Sequence, residues 1–101
     1  MVTIKVASKV KEAYTYENGL TVFNAIKNEF EKGNNVELSF DGFTVIPTSF
    51  ANGCFVVLLE KYGLEEIKKK LKVTHSTKQI NQMIKSRLEF ENTRIQNFVP
   101  A

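Results

Sequence analysis

Apolar and polar residues alternate along this chain with two periods, and the two periods predict strands and helices in turn. Apolar residues lie at every second position in 2–6 and again in 36–40, the spacing of strands with a buried face. A short strand is expected at 72–75. A weaker one is expected at 13–16, before the turn signal at 18–19.

Between these strands, apolar residues recur every three or four positions, which predicts helices. The first helix is expected at 21–32, with Gly33 closing it. The second is strongly apolar and ends at Gly63. The hydroxyl of Thr48 or Ser49 is predicted to cap its first turn.

The last helix is predicted to start at Thr77. Ser76 is expected to be its cap, with Gln79 reaching back in a capping box. The apolar stripe continues past residue 90 toward Ile95. Residues 92–101 are predicted to form a flexible tail.

Asp41 and Gly42 stand between two apolar runs, and on local rules this pair is a hairpin signal with 43–46 as the returning strand. Pro47 ends that run, because proline has no amide proton to donate to a sheet. The interleaved strands and helices predict one α/β (α+β) domain over residues 1–101. We expect a small mixed sheet of three to five strands, covered by helices mainly on one face.

The size and the cysteine content narrow the class of protein. The 101 residues can bury one core, and the single cysteine excludes an internal disulfide and a multi-cysteine metal site. No apolar run approaches the length of a membrane span or of a secretory signal. These features predict a cytoplasmic protein that does not enter the membrane.

The charge is almost balanced, with 14 basic and 11 acidic residues, but it leans toward the C-terminal half. A short basic helix is predicted at 64–71. Its lysines form either a solvated face or a contact for phosphates or an acidic protein. Exposed aromatic residues are not interleaved with them, which disfavours a nucleic acid as the ligand. The candidate anion-binding residues are Lys68, Lys69, Lys70 and Lys72, with Lys78, Lys85 and Arg87 further along.

Catalytic motifs are missing from the sequence. It contains no phosphate-binding GxxxxGK[ST] loop, no GxGxxG and no GxSxG, and it has one histidine and one cysteine. His75 is either a general base or an exposed strand-end residue, and Cys54 is either a reactive thiol or a packed core thiol. We therefore expect no catalytic residues, no metal site and no cofactor.

Thr48 and Ser49 are the most informative hydroxyls, because they follow a strand and stand in the first turn of a helix. That position favours the negative charge of a phosphate. The two side chains are therefore candidate phosphoacceptors, and capping of the helix is the competing interpretation.

The segment VELSFDGFTVIPTSFANGCFVVLLEKYG, residues 36–63, resembles the central part of the STAS-like domains. This bacterial and phage family of unknown function has a hydrophobic strand, an Asp-Gly turn and a Ser-Phe pair that opens a helix. The segment is more distantly similar to the STAS domains of anti-sigma-factor antagonists, whose strand-turn-helix unit carries a phosphorylatable serine. The element order fits over about 3–90.

The resemblance implies a small mixed sheet with helices mainly on one side, and as partner an ATPase-type kinase. Thr48 lies where the antagonist serine would be, and Ser49 matches the serine of the STAS-like pattern. Pro47 replaces an aspartate of the antagonists and Phe50 replaces a glycine, which are departures from their pattern. The resemblance also implies that residues 41–42 form a bend within a crossover.

The leading hypothesis is a non-enzymatic regulatory or adaptor module that binds a partner protein at the end of the central strand-turn-helix unit. The candidate binding residues are Pro47, Thr48, Ser49, Phe50 and Asn52. One alternative is a binder of nucleic acid or an anionic ligand through the basic half. A second is a small phage-type antagonist that occludes a host protein stoichiometrically.

Overall fold

The computed structural model describes the backbone of residues 1–97 and the side chains of residues 1–94. It is an α/β structure, as predicted. In chain order its elements are β1 (Val2–Lys5), α1 (Val6–Lys9), α2 (Tyr16–Glu31), β2 (Val36–Ser39), α3 (Thr48–Ala51), a π-helical segment (Asn52–Val56), α4 (Val57–Tyr62), α5 (Leu64–Lys70), β3 (Leu71–Thr74) and α6 (Lys78–Asn97).

The three strands form one sheet in the order β1-β2-β3, and both pairs are parallel. The expectation of three to five strands is confirmed, but the sheet is parallel rather than mixed within residues 1–97. Val36 and Leu38 of β2 are fully buried, whereas Thr3 and Lys72, on the strands at either side, are exposed. A connection between two parallel strands is a right-handed crossover, and here β2 and β3 are added in the same direction along the sheet. Both connections therefore lie on the same face. The helices accordingly cover one face, as predicted.

The predicted hairpin at Asp41–Gly42 is wrong. These residues form a turn, closed by the bond from Phe43 N–H to the Phe40 carbonyl, and the chain does not return along β2. Instead, the backbone of Ile46 is hydrogen-bonded to the side chain of Gln79. Gln79 Oε1 accepts from the Ile46 N–H (3.0 Å), and Gln79 Nε2 donates to the Ile46 carbonyl (3.1 Å). The turn is therefore a bend within the β2–β3 crossover, as the resemblance implies.

The predicted strand at 13–16 is also wrong, because α2 begins at Tyr16, five residues before its expected start. Thr15 caps the helix by accepting from the Asn18 N–H at 3.0 Å, and the Asn18 side chain accepts from the Thr15 N–H at 3.1 Å. This reciprocal capping box stabilises a helical start where local rules indicate a turn.

The elements α3, the π-helical segment and α4 run on as one helix, which we call the central helix (48–62). In the π-helical segment the Val57 N–H bonds to the Asn52 carbonyl, five residues back. The wider turn lets three consecutive residues, Gly53, Cys54 and Phe55, all be buried. This explains the broad apolar arc of the sequence. Gly63, with φ of 84°, ends the helix as predicted.

The central helix crosses α2 at very short range through Gly19 and Gly53. A Cβ atom on Gly53 would collide with the carbonyl oxygen of Tyr16 and lie 3.1 Å from the Leu20 nitrogen. A Cβ atom on Gly19 would collide with the Phe50 carbonyl oxygen and lie 2.8 Å from the Cys54 nitrogen. The two helix backbones are therefore in direct contact, which fixes how the central helix sits over the sheet.

The cap of α6 is one residue later than predicted. Thr77 Oγ1 accepts from the Ile80 N–H, while the Ser76 hydroxyl bonds to Asn81 and Gln79 is engaged with the β2–β3 crossover. The helix reaches Asn97, beyond the predicted extension toward Ile95. Residues 92–97 thus continue α6, and the rest of the predicted tail, 98–101, lies outside the described residues.

Candidate partner-binding surface

The predicted binding residues lie at the N-terminal end of the central helix. Pro47 occupies the cap position and no side chain caps the helix, so the prediction of a hydroxyl cap is wrong. The exposed hydroxyls bind other parts of the chain instead. Ser49 donates to the Tyr14 carbonyl at 2.5 Å, and Thr48 lies 3.8 Å from the sulfur of Met83.

Phe50 is not available for binding in this structure, which corrects its inclusion among the surface residues. Its side chain is fully buried and meets Phe40 edge to face, with ring centroids 6.3 Å apart. Pro47, Thr48 and Ser49 remain at or near the surface, and the last two are exposed. The apolarity of Phe50 itself is the signal for its burial, because a phenylalanine next to a helix start is usually part of the core.

Two tyrosines that no sequence pattern singles out lie beside these residues. Tyr14 is 58% exposed and Tyr16 is 43% exposed. The bond between Ser49 and the Tyr14 carbonyl places Tyr14 against the start of the central helix. The contact between Gly53 and the Tyr16 carbonyl places Tyr16 one turn further along. We call Tyr14, Tyr16, Pro47, Thr48 and Ser49 the tyrosine-flanked surface.

This part of the molecule carries no charge over a long stretch of sequence. Residues 42–59 contain no Asp, Glu, Lys or Arg, and Val45 in the same stretch is 53% exposed. Exposed tyrosine together with a low density of charge is the composition of the buried centre of protein–protein interfaces. It differs from the lysine-rich composition of the predicted anion-binding residues.

Asn52 is half-buried and belongs to a polar network that ties the central helix to α6. Its Oδ1 accepts from Arg87 Nε at 3.0 Å, and Arg87 also pairs with Glu91 at 2.8 Å. Glu91 is only 7% exposed and accepts from Arg94 through its second oxygen at 3.1 Å. The Oδ1 of Asn52 is therefore occupied in joining the central helix to α6.

A family model for the STAS-like domain of unknown function matches residues 18–81. The chain belongs to this family. The matched part runs from α2 into the first turn of α6 and includes every residue from Pro47 to Asn52. Comparison with the curated proteins and with the solved structures found no match. The predicted family and fold are thus confirmed, and partner binding remains a prediction.

The candidate anion-binding lysines of the STAS-like domain are distributed over three elements, α5, β3 and α6. Lys68 and Lys69 are exposed in the last turn of α5, and Lys72 is exposed on β3. Lys70 differs from them, because it pairs with Glu66 at 3.2 Å. Lys78 and Lys85 lie on α6, and Arg87 is engaged with Asn52 and Glu91. Lys68, Lys69 and Lys72 are thus the exposed lysines at or near β3, and anion binding by the basic residues remains a prediction.

His75 of the STAS-like domain contacts the side chain of Ser39, a pairing that the sequence does not reveal. Its Nδ1 lies 3.3 Å from the hydroxyl of Ser39, which also accepts from the Asp41 N–H. His75 has a φ of 51°, in the left-handed region, and Ser39 is only 3% exposed. Because the serine oxygen is covered, the contact joins the ends of β2 and β3 and does not present a nucleophile to solvent.

Cys54 of the STAS-like domain is fully buried, and burial raises the pKa of its thiol far above the usual range. It is a packed core thiol, the second of the two interpretations that its sequence position allows. Residues 1–94 contain no cluster of three His, Cys, Asp or Glu side chains suited to a metal ion. Every described helix is too short or too polar to span a membrane.

Proposed function

We propose that this STAS-like domain is a non-enzymatic regulatory or adaptor module that binds a partner protein through the tyrosine-flanked surface. The observation that carries the proposal is the pairing of two exposed tyrosines with an uncharged helix start that presents the Thr48 and Ser49 hydroxyls. Tyrosine contributes a large contact area and a hydroxyl for few rotatable bonds, which suits it to the centre of an interface.

The support beneath this surface is rigid. The central helix is fixed on one side by the backbone contact of Gly53 with α2, and on another by the Asn52–Arg87 hydrogen bond to α6. A surface held in one conformation loses little entropy when a partner binds. Rigidity therefore adds to affinity without any additional contact.

An ATPase-type kinase, the partner that the resemblance implies, is the first candidate to test. Both Thr48 and Ser49 are exposed to solvent, and a phosphate on Ser49 would replace its hydrogen bond to the Tyr14 carbonyl. A phosphate on either would place close to two negative charges on an otherwise uncharged surface. We expect such a modification to weaken binding to a neutral partner surface and to act as the regulatory signal.

We expect the module to act in the cytoplasm, where a reducing environment suits a single unpaired thiol. A phage-type antagonist that occludes a host protein would bind that protein through the same surface. Genomic neighbours separate the two: an adjacent ATPase-type kinase gene favours the regulator, and a phage or defence locus favours the antagonist.

The proposal is tested by placing a charge in the surface. Thr48→Arg and Tyr14→Arg should each abolish capture of specific partners from cell extract, because an interface core cannot solvate an arginine. Thr3→Arg is the matched control, since Thr3 is exposed on the open face of the sheet and should retain every partner. Capture should also survive about 0.5 M salt, because none of the five residues of the surface is charged.

Circular dichroism establishes that each variant is folded before its partners are compared. If the Thr48→Arg and Tyr14→Arg proteins are folded and still retain every partner that the unmodified domain captures, this surface is not the binding site. Loss of capture at high salt in the unmodified domain would point to the lysines instead.

A further inference from the structure

The outer edge of β3 is unpaired in the part of the chain that the structure describes. β3 is the last strand of the sheet and pairs with β2 on one side only. The Phe40 N–H bonds to the Thr74 carbonyl at 3.0 Å. In a parallel ladder, alternate residues direct their backbone groups to opposite sides, so Thr74 and Lys72 face β2.

The backbone groups of Leu71, Val73 and His75 consequently face outward. The Leu71 N–H is taken up by the Ile67 carbonyl at the end of α5. The N–H and C=O of Val73 have no hydrogen-bond partner among the described residues. Together with the Leu71 C=O and the His75 N–H, they form a row of four groups that an added strand could pair with.

The side chains along this edge are also incompletely covered. Val36 and Leu38 on the neighbouring strand are fully buried, whereas Leu71 and Val73 on the same face pack against the core and are only partly buried. An added strand whose apolar residues lie on this face would extend the core over them. The edge therefore offers both backbone hydrogen bonds and apolar contact.

Exposed lysines lie around the edge, and Glu37 of β2 is in register with Lys72 on the open face, where its carboxylate accepts from the Thr74 hydroxyl. Lys68 and Lys69 lie in the last turn of α5, which leads into β3, and Lys72 lies within β3; all three are exposed and have no ion pair in residues 1–94. Lysines on an edge strand oppose pairing with a second copy of the same chain, because the like charges would be brought together. The same lysines attract a strand that carries carboxylates.

We propose that the outer edge of β3 accepts an extended acidic segment of a partner protein as a fourth strand of the sheet. Its apolar residues would cover Leu71 and Val73 on the helical side, and its acidic residues would face Lys72 on the open side. This site is separate from the tyrosine-flanked surface and does not depend on the function proposed for it.

The test uses the whole domain and a capped hexapeptide in which glutamate and valine alternate. Addition of this peptide should slow hydrogen exchange of the Val73 amide, observed by nuclear magnetic resonance. Two further peptides carry N-methyl groups either on every valine or on every glutamate. Backbone groups alternate in direction along a strand, so one residue type of the peptide directs its N–H toward β3 and the other directs it away. The peptide methylated on the first type should not bind, and the peptide methylated on the second type should bind like the parent.

Charge is tested in the domain itself. Lys72→Glu, and separately the pair Lys68→Glu and Lys69→Glu, should weaken binding of the acidic peptide roughly tenfold. The matched control is the pair Lys78→Glu and Lys85→Glu on α6, which should leave binding unchanged. If both N-methylated peptides bind equally, or if the Val73 amide exchange is unaffected by the parent peptide, the proposed strand addition is wrong.

Discussion

The close contact of α2 and the central helix at Gly19 and Gly53 can be tested by adding one methyl group. The methyl group raises helix propensity but collides with the opposite backbone, so the sign of the change in stability shows which effect is larger. Alanine is better than glycine in a helix interior by about 1 kcal/mol. Gly53→Ala would therefore stabilise the protein if the site were open. The structure indicates the opposite sign, since the new Cβ atom meets the backbone of Tyr16 and Leu20.

Backbone atoms cannot rotate away as a flexible side chain can, so the collision is relieved only by moving α2 and the central helix apart. That displacement loosens the packing of Phe50 and Phe55, which are fully buried beside the crossing. We expect Gly53→Ala to lower the free energy of unfolding by about 2–4 kcal/mol after its propensity gain is included. Gly19→Ala should have an effect of similar size.

Urea unfolding followed by far-ultraviolet circular dichroism measures these changes. The double variant should lose less than the sum of the single variants, because helices already separated for one methyl group have room for the second. Gly33→Ala is the control: a methyl group on Gly33 would meet no atom within 4 Å, but its φ is 84°, so only backbone strain of about 1–2 kcal/mol applies. Stabilisation in the Gly19 or Gly53 variants would refute the close contact.

Three further outcomes are expected from other parts of the structure. Gln79→Ala should cost about 1–3 kcal/mol in urea unfolding, because the backbone groups of the buried Ile46 lose both partners; a loss below about 0.5 kcal/mol would contradict this. Glu91→Ala should cost about 2 kcal/mol in the same assay, since it leaves Arg87 without its carboxylate; an unchanged stability would show that the ion pair is not needed. Because burial raises the pKa of Cys54, native protein should react with a thiol reagent only upon unfolding. Stability should fall by up to about 1.4 kcal/mol per pH unit as pH rises above roughly 8.5, where the unfolded thiol ionises. A Cys54→Ala variant should lose this slope.

Most of the fold follows from local patterns in the sequence. The period-two runs at 2–6 and 36–40 predict β1 and β2, because each has one face directed to the core, and the short strand expected at 72–75 corresponds to β3 at 71–74. The error at Asp41–Gly42 has a different origin. The local sequence satisfies the hairpin rule, but the backbone of Ile46 finds its partner in Gln79, which lies 33 residues away in sequence. A rule that considers neighbouring residues cannot find that bond.

The start of α2 shows the same limitation. Asn18 and Gly19 resemble a turn, and the need for glycine at that position arises from Gly53 on another helix. At the surface, the exposure of Thr48 and Ser49 follows from their position before an apolar helix. The contribution of Tyr14 does not, because it depends on a hydrogen bond to Ser49 across 35 residues. Long-range contacts thus define the surface, while local pattern defines the elements that carry it.

The parallel sheet has a consequence for how this protein acquires its structure. Every pair of adjacent strands is separated along the chain by roughly thirty residues, so the sheet has no local hairpin from which to begin. Closing such loops is entropically costly before any pairing compensates for it, and domains of this topology fold more slowly than helical bundles. During synthesis β1 cannot pair until β2 has been made, and β2 cannot pair on its other side until β3 has been made, whereas α2 can form early. A nascent chain that stops before residue 71 therefore exposes a strand edge that only the last third of the protein can cover.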